Sequence, residues 1–281
     1  MRLTIFHRTT YGYDAGVPYG LQQVRLTPKA RAGQRIIDWS IEVSGGTKEL
    51  TFDDEHNNAV DLIRIEPGAT ELSIICRGEV ETPQTDGIIG GHGGYAPLWL
   101  FRRQTSLTQV GEGVRGILAD LKSDDADISR LHALSALIRD RVDYQVGTSN
   151  VETSAEDAIR NKQGVCQDHA HVFIAAAREL GYPARYVSGY LKIDDVIDQD
   201  ATHAWAEAYV DGVGWIGFDI SNVISPDERY VRVATGLDYR GAAPISGMRY
   251  GSAQEELHVD LKVQTQGQQQ QQSQGSTSGP S

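Results

Sequence analysis

From the first residue to about 82, apolar and polar positions alternate in short runs. "RLTIFHRTTYGY", "QQVRLTP", "RIIDWSIEVSG", "KELTFDDEHNNAVDLIRIEPG" and "TELSIICRGEVETP" are each broken off by Gly, Pro, Asn or Asp, the period-two signature of strands with one buried face. In "IIDWSIEV" the residues Ile37, Trp39, Ile41 and Val43 fall on one side. The pattern predicts an antiparallel, sandwich-like or curled β domain over residues 1–82.

The period then changes. The Gly-rich stretch around "TPQTDGIIGGHGGYAPLWL" reads as a connection over 83–105. In "SLTQVGEGVRGILADLK" the apolar residues Leu107, Val110, Val114, Ile117, Leu118 and Leu121 recur at helical spacing, and "ISRLHALSALIRDRV" repeats the pattern with Leu131, Leu134, Ile138 and Val142. A shorter helix opens at "TSAEDAIRNK", where Thr153 and Glu156 have capping-box spacing. In "VCQDHAHVFIAAARELGYP" the stripe Ala170, Phe173, Ile174, Ala177 places Cys166 in the first turn, and Gly181 with Pro183 ends the helix. Alternation returns in "THAWAEAYV" and "WIGFDI", joined by the turn "DGVG". The class is therefore α+β, with a second domain over 106–263. The tail at 264–281, "QTQGQQQQQSQGSTSGPS", has almost nothing to bury and is expected to be disordered.

Charge narrows the partners. The 281 residues carry 26 basic and 38 acidic side chains, a formal charge of -12, with no basic patch; nucleic acid and anionic membranes are not expected partners. No apolar run has membrane-spanning length and the start "MRLTIFHRTTYGY" lacks signal-peptide character, which leads to the expectation of a soluble, cytoplasmic protein. Oligomeric state is not encoded in these patterns.

Two cysteines, Cys76 and Cys166, are too few for a disulfide framework. Cys76 sits in an alternating run as a small apolar side chain. Cys166 opens a helix, where unpaired amides and the positive end of the macrodipole favour a thiolate and can receive an oxyanion. A cysteine in a helix is usually a filler of small volume, so a nucleophile requires a base and a group that orients the base. His203 and Asp219 are the candidates. A two-residue loop of Asp211 and Gly212 would pair Ala204 with Asp219 and turn the carboxylate away from His203. An odd loop or a bulge at "DGVG" is therefore expected.

"GVCQDHAHVFIAAARELGYPARYVSGYL" followed by "THAWAEAYVDGVGWIGFDISN" resembles the core of the transglutaminase-like superfamily, in the branch of bacterial transglutaminase-like cysteine peptidases. The β-rich start, including "FHRTTYGYDAGVPYGLQQVRLTP", resembles that branch too. The resemblance implies a papain-like thiol domain in which Cys166 is the nucleophile, His203 the base and Asp219 the orienting acid. It also implies a peptide or protein substrate, a thioester intermediate, hydrolysis before transamidation or deamidation, and no metal or organic cofactor. Ile220 stands where the family usually has proline, which is expected to loosen the turn after Asp219. A non-catalytic peptide-binding module and a zinc site on Cys166, His169 and His203 are the readings of another class. His169 and His171 diverge on their helix and cannot share one ion easily. Asn161, Gln163 and Tyr144 are side-chain candidates for the oxyanion site. Trp205 and Trp215 are expected in the core, and "GIIGGHGGY" is a flap or a linker.

Overall fold

A computed structural model describes residues 1–30, 33–122, 126–194, 196–199 and 201–265. Most of the expected tail, from 266 onward, lies outside the described residues. No helix among the described residues is long and apolar enough to cross a membrane.

The N-terminal alternation forms β1 (Arg2–Val17), β2 (Tyr19–Val24), β3 (Arg35–Ser44), β4 (Gly46–Asp53), β5 (Ala59–Ile65) and β6 (Ala69–Glu81). They lie in two antiparallel sheets, β1–β6–β3 in one and β2–β5–β4 in the other. Leu72, Ile74 and Cys76 from the first sheet bury against Ile63, Ile65 and Val24 of the second, as two half-apolar faces must. The stripe expected on β3 is interrupted. A bulge between Ile36 and Asp38 leaves Ile37 at the surface, while Trp39, Ile41 and Val43 pack on the core.

The Gly-rich stretch contributes β7 (Ile88–Gly90). Then come α1 (Glu112–Asp120), α2 (Asp127–Arg141), β8 (Asp143–Tyr144), α3 (Ala155–Asn161), β9 (Gln163–Gly164) and α4 (Cys166–Glu179). Leu107 and Val110 precede α1 and are buried nonetheless. The capping box of α3 is Ser154 with Asp157, one residue beyond the expected Thr153 and Glu156. Glu156 instead turns to the start of α1, where its carboxylate accepts the amides of Gly111, Gly113 and Val114, each at 2.9 Å.

The chain continues through β10 (Ala184–Leu191), β11 (Asp198–Gln199), β12 (His203–Val210), β13 (Gly214–Phe218), β14 (Tyr230–Gly236), α5 (Tyr239–Ala242), β15 (Ile245–Tyr250) and β16 (Glu255–Thr265). An antiparallel sheet in the order β14–β10–β12–β13–β7 receives α4 on one face. Small side chains make this close: Ala204, Ala206 and Ala208 meet Ala170, Phe173, Ile174 and Ala177 in one buried cluster. Arg178 anchors the far end of α4 from the inside, donating to the carbonyls of Phe101, Ala184 and Leu237.

Residues up to 263 were expected with the helical core, but the last two strands return to the N-terminal sheets. β15 pairs with β2, and β16 pairs with β1 from Tyr13↔Glu255 to Leu3↔Thr265. A strand as long as β1 flanked only by β6 would expose a long open edge, and β16 closes it. The edge of the core sheet is closed differently. Gln34 and Asn58, from N-terminal loops, each make paired hydrogen bonds to the backbone of Arg232 and Thr235 on β14, imitating a neighbouring strand with side-chain amides.

Candidate active site

The start of α4 is fixed by its own sequence. Asp168, three residues into "VCQD", folds back so that Oδ2 accepts the Val165 amide at 2.8 Å and the Ser149 hydroxyl at 2.5 Å. Burial pushes this carboxyl up, and the two hydrogen bonds oppose the rise. A Cβ on Gly164 would come within 2.7 Å of the Asp168 side chain, which is why glycine precedes the cysteine turn. Cys166 is then the first helical residue and partly accessible, with the unpaired amides of the first turn around it.

The hairpin decides whether the other two residues meet. Its register runs Val210↔Gly214 to Ala206↔Phe218, so the loop is Asp211, Gly212 and Val213, an odd number as expected. Gly212 and Gly214 have φ of 81° and 104°, left-handed conformations that a three-residue connection uses. His203 and Asp219 consequently share a face, and His203 Nε2 lies 2.6 Å from Asp219 Oδ2. Cys166 is the other hydrogen-bonding neighbour of the ring. The structure thus brings Cys166, His203 and Asp219 together in the order required for a thiol, a base and an orienting acid.

Their electrostatics are coupled. Burial pulls the His203 imidazolium down, but hydrogen bonds to Asp219 and Cys166, and the charges of both, outweigh it and raise the group to about 10. Burial alone would push the Asp219 carboxyl up; its hydrogen bonds hold it below the usual range instead. Besides His203, Asp219 Oδ2 accepts from Asn222 Nδ2 and from the Tyr230 hydroxyl, both at 2.7 Å. Trp205 stacks beside the imidazole with centroids 6.3 Å apart at 28°.

Asn222 and Tyr230 were not anticipated. An Asn three residues after Asp219 is an Asx-type spacing that could have been found; Tyr230 belongs to another strand and carries no local signal. The turn expected to loosen at Ile220 is closed, since Asp219 and Ile224 exchange backbone hydrogen bonds at 2.8 and 3.2 Å and Ile220 is buried.

His169 is structural. Its Nε2 donates to the Val142 carbonyl at 2.9 Å and its Nδ1 accepts from Ser221 Oγ at 2.8 Å, and burial lowers it to about 4. Both nitrogens are taken, so a metal site with Cys166 and His203 has no ligand there; among the described residues no group of three His, Cys, Asp or Glu side chains is placed to hold a metal ion. His171 is wholly buried and accepts the Tyr239 amide at 3.1 Å. Tyr144 lies near enough to Cys166 and Asp219 that, after burial, their charges push its phenol up. Gln163 is half-buried in β9, and Asn161 is exposed at the end of α3. Trp205 and Trp215 are both 1% exposed. A cleft of about 470 Å³ passes His203, lined by Arg139, Lys192, Asp194, Ser221 and Asn222 among others. The Gly-rich segment does not border it. Cys76, by contrast, is fully buried on β6 beside the Tyr190 hydroxyl, and burial pushes its thiol to about 12.

Residues 115–220 match the model of the transglutaminase-like superfamily, and residues 3–81 match that of the bacterial transglutaminase-like N-terminal region. A protein of uncharacterized function from Mycobacterium leprae (strain TN) is 28% identical over 275 residues, 93% of this chain and 98% of its own length. One from Mycobacterium tuberculosis (strain ATCC 25618 / H37Rv) is 26% identical over 289 residues, 93% of this chain and 91% of its own. The crystal structure of a candidate cysteine protease from Cytophaga hutchinsonii is similar with a TM-score of 0.74 and 25% identity, covering 94% of this chain and 91% of that one.

Proposed function

Because this chain is a transglutaminase-like protein with the bacterial type of N-terminal region, we propose that it is a thiol enzyme that cleaves peptide or amide bonds with Cys166, His203 and Asp219. The observation that carries this reading is the His203 ring, held at Nε2 by a buried carboxylate and hydrogen-bonded also to the helix-start thiol. The similar Cytophaga hutchinsonii protein, a candidate cysteine protease, supports it.

The Cys166 proton passes to His203 Nδ1, and the thiolate attacks the carbonyl carbon of the scissile amide. The oxygen takes up the electron pair beside the first amides of α4. When the C–N bond breaks, His203 returns the proton to the departing amine and a thioester remains. Water then gives a proton to His203 Nδ1, adds to the thioester and releases a carboxylic acid and the thiol. Asp219 keeps the imidazole in one tautomer and balances its charge throughout. The choice of water as acceptor is supported by the similarity to the Cytophaga hutchinsonii protein, a candidate cysteine protease. Transamidation on the same groups would need water kept out. A reducing compartment such as the cytoplasm suits an accessible Cys166 with no disulfide partner.

The test uses peptide mixtures in water enriched in oxygen-18, with and without excess primary amine. Hydrolysis predicts new carboxyl groups carrying the label and an acyl adduct on Cys166 by mass spectrometry, both absent from Cys166→Ala. Products containing only the amine would move the assignment to transamidation, and no adduct with any peptide would remove it.

A further inference from the structure

Away from the thiol, buried charge concentrates where the N-terminal loops meet the core sheet. Arg185 on β10 is paired in register with Glu207 on β12, and Arg232 stands on the far side on β14. Glu207, wholly buried, accepts Arg185 Nε at 2.6 Å, Arg232 Nε at 2.5 Å and Arg232 Nη2 at 3.0 Å. Lys29, 9% exposed in the loop after β2, rests its ammonium on the carbonyls of His56 and Asn57 at 2.9 and 2.8 Å. Two arginines therefore share the Glu207 carboxylate, and Lys29 lies nearby under the pull of Asp54 more than of Glu207, inside a chain whose formal charge is -12. The next acid, Asp54, is matched by its own partner, Arg25, at 3.2 Å.

Such a charge is costly to bury unless something neutralises it. Lys29 registers the imbalance. Burial, then the charges of Arg232 and Arg185, push its ammonium down to about 7 against the weaker pull of Asp54 and Glu207. A cavity of about 210 Å³ opens on these groups. Lys29, Arg185 and Arg232 line it, with Trp215 and with His56, whose Nδ1 is buried without a partner. The Arg185 guanidinium lies 3.8 Å from the centroid of the Trp215 ring, which fixes its orientation. Gly91 and Gly93 of the Gly-rich segment form another wall without side chains. A wider cleft of about 570 Å³ shares Lys29 and Asn57 with the cavity and extends to Gly94 and Tyr95, which supplies a route from solvent.

We propose that this cavity binds a small, doubly charged oxyanion, a phosphate or phosphomonoester, between Lys29, Arg185 and Arg232. Guanidinium forks match the geometry of phosphate oxygens, and a lysine adds a point charge. The site stands apart from the thiol chemistry, four residues along β12 from His203, and does not depend on it. It also assigns a role to the Gly-rich segment as a wall of this cavity.

Sulfate and phosphate stabilise many proteins non-specifically, so the measurement is direct binding. Calorimetric titration with inorganic phosphate, and separately with phenyl phosphate, against sodium chloride of equal ionic strength is expected to give saturable one-to-one binding. The Trp215 indole resonance should move with the same saturation, while that of exposed Trp99 stays put. Tighter binding of phenyl phosphate would identify an ester as the ligand; tighter binding of inorganic phosphate would identify the free ion. Lys29→Met should weaken the affinity at least ~10-fold, about 1.4 kcal/mol, and Cys166→Ala should leave it unchanged. Absence of saturation by ~10 mM of either anion, weaker than the millimolar range, or saturation that leaves the Trp215 resonance in place, would overturn the proposal.

Discussion

Replacing Asp219 by Asn keeps the shape of the side chain and removes its charge. In the wild type, raising His203 from 6.5 to about 10 corresponds to a preference for the imidazolium on the order of 5 kcal/mol. Burial works against it, and the hydrogen bond to Asp219 is the first of the interactions that favour it, followed by those of Cys166. Loss of one adjacent opposite charge moves a pKa by roughly 1–3, or about 1.4–4 kcal/mol. In Asp219→Asn, therefore, His203 should titrate between about 7 and 9. Titration of the His203 ring by NMR measures this directly. The same substitution should slow alkylation of Cys166 by iodoacetamide at neutral pH, since the imidazolium beside the sulfur loses the carboxylate that favours it. Stability carries a matching signature. A histidine raised on folding stabilises the fold fully below 6.5 and loses that contribution as pH rises through about 10. Asp219, lowered on folding, contributes above 3.8 and loses its share as pH falls below that. The stability difference between wild type and variant should thus be largest between 3.8 and 6.5 and shrink, without vanishing, as pH rises through about 10, because Asp219 keeps its hydrogen bonds to Asn222 and Tyr230. A wild-type His203 that titrates near 6.5, or one unmoved by Asp219→Asn, would refute the electrostatic account of the site.

Three further substitutions probe the frame around it. Glu156→Ala orphans three amides at the start of α1 and should cost about 2–3 kcal/mol, read as a melting temperature lower by roughly 4–12 °C. Gly164→Ala drives a Cβ into Asp168 and should slow Cys166 alkylation more than it lowers the melting temperature, because the disturbed turn is the one that carries the sulfur. Gly214→Ala, at φ 104° with the Gly90 carbonyl in the way of a new Cβ, should destabilise by roughly 1–3 kcal/mol from backbone strain alone; amide exchange should report it first in β7 and β13.

What could be read in the sequence was what repeats locally. Alternation gave the strands of the N-terminal sheets, helical spacing gave α1 to α4, and the demand that His203 and Asp219 share a face was enough to predict the odd connection at "DGVG" that the register shows. The misses have a common cause. Ile37 lies at a bulge, and a bulge is a one-residue defect that the alternation conceals. Glu156 has the right spacing to cap its own helix and instead serves α1, which comes into reach only when α1 and α3 pack. β16 alternates like any strand, but its partner β1 is more than two hundred residues away. The second sphere of Asp219 divides the same way: Asn222 lies three positions along the chain, whereas Tyr230 reaches the carboxylate from β14.

Strand β12 illustrates how a buried sheet can carry charge without being weakened by it, and Val223 shows the local expense of doing so. On one face of the strand, His203 is matched by Asp219 and Glu207 by two arginines, with Trp205 between the two pairs. The opposite face carries Ala204, Ala206, Ala208 and Val210, packed on the helix. Holding Asp219 in place requires the tight return to Ile224, and in that return Val223 is forced to φ 55°. A β-branched residue pays about 1–2 kcal/mol there, and Val223, at 43% exposed, recovers little by burial. Val223→Gly removes the strain but frees the unfolded chain by about 0.4–1 kcal/mol. The net gain should be about 0.5–1 kcal/mol, a melting temperature higher by roughly 1–4 °C, with the His203 titration unchanged. If the variant melts lower, the left-handed turn is not a source of strain; if the His203 pKa falls with it, the valine itself helps to hold Asp219 against the ring.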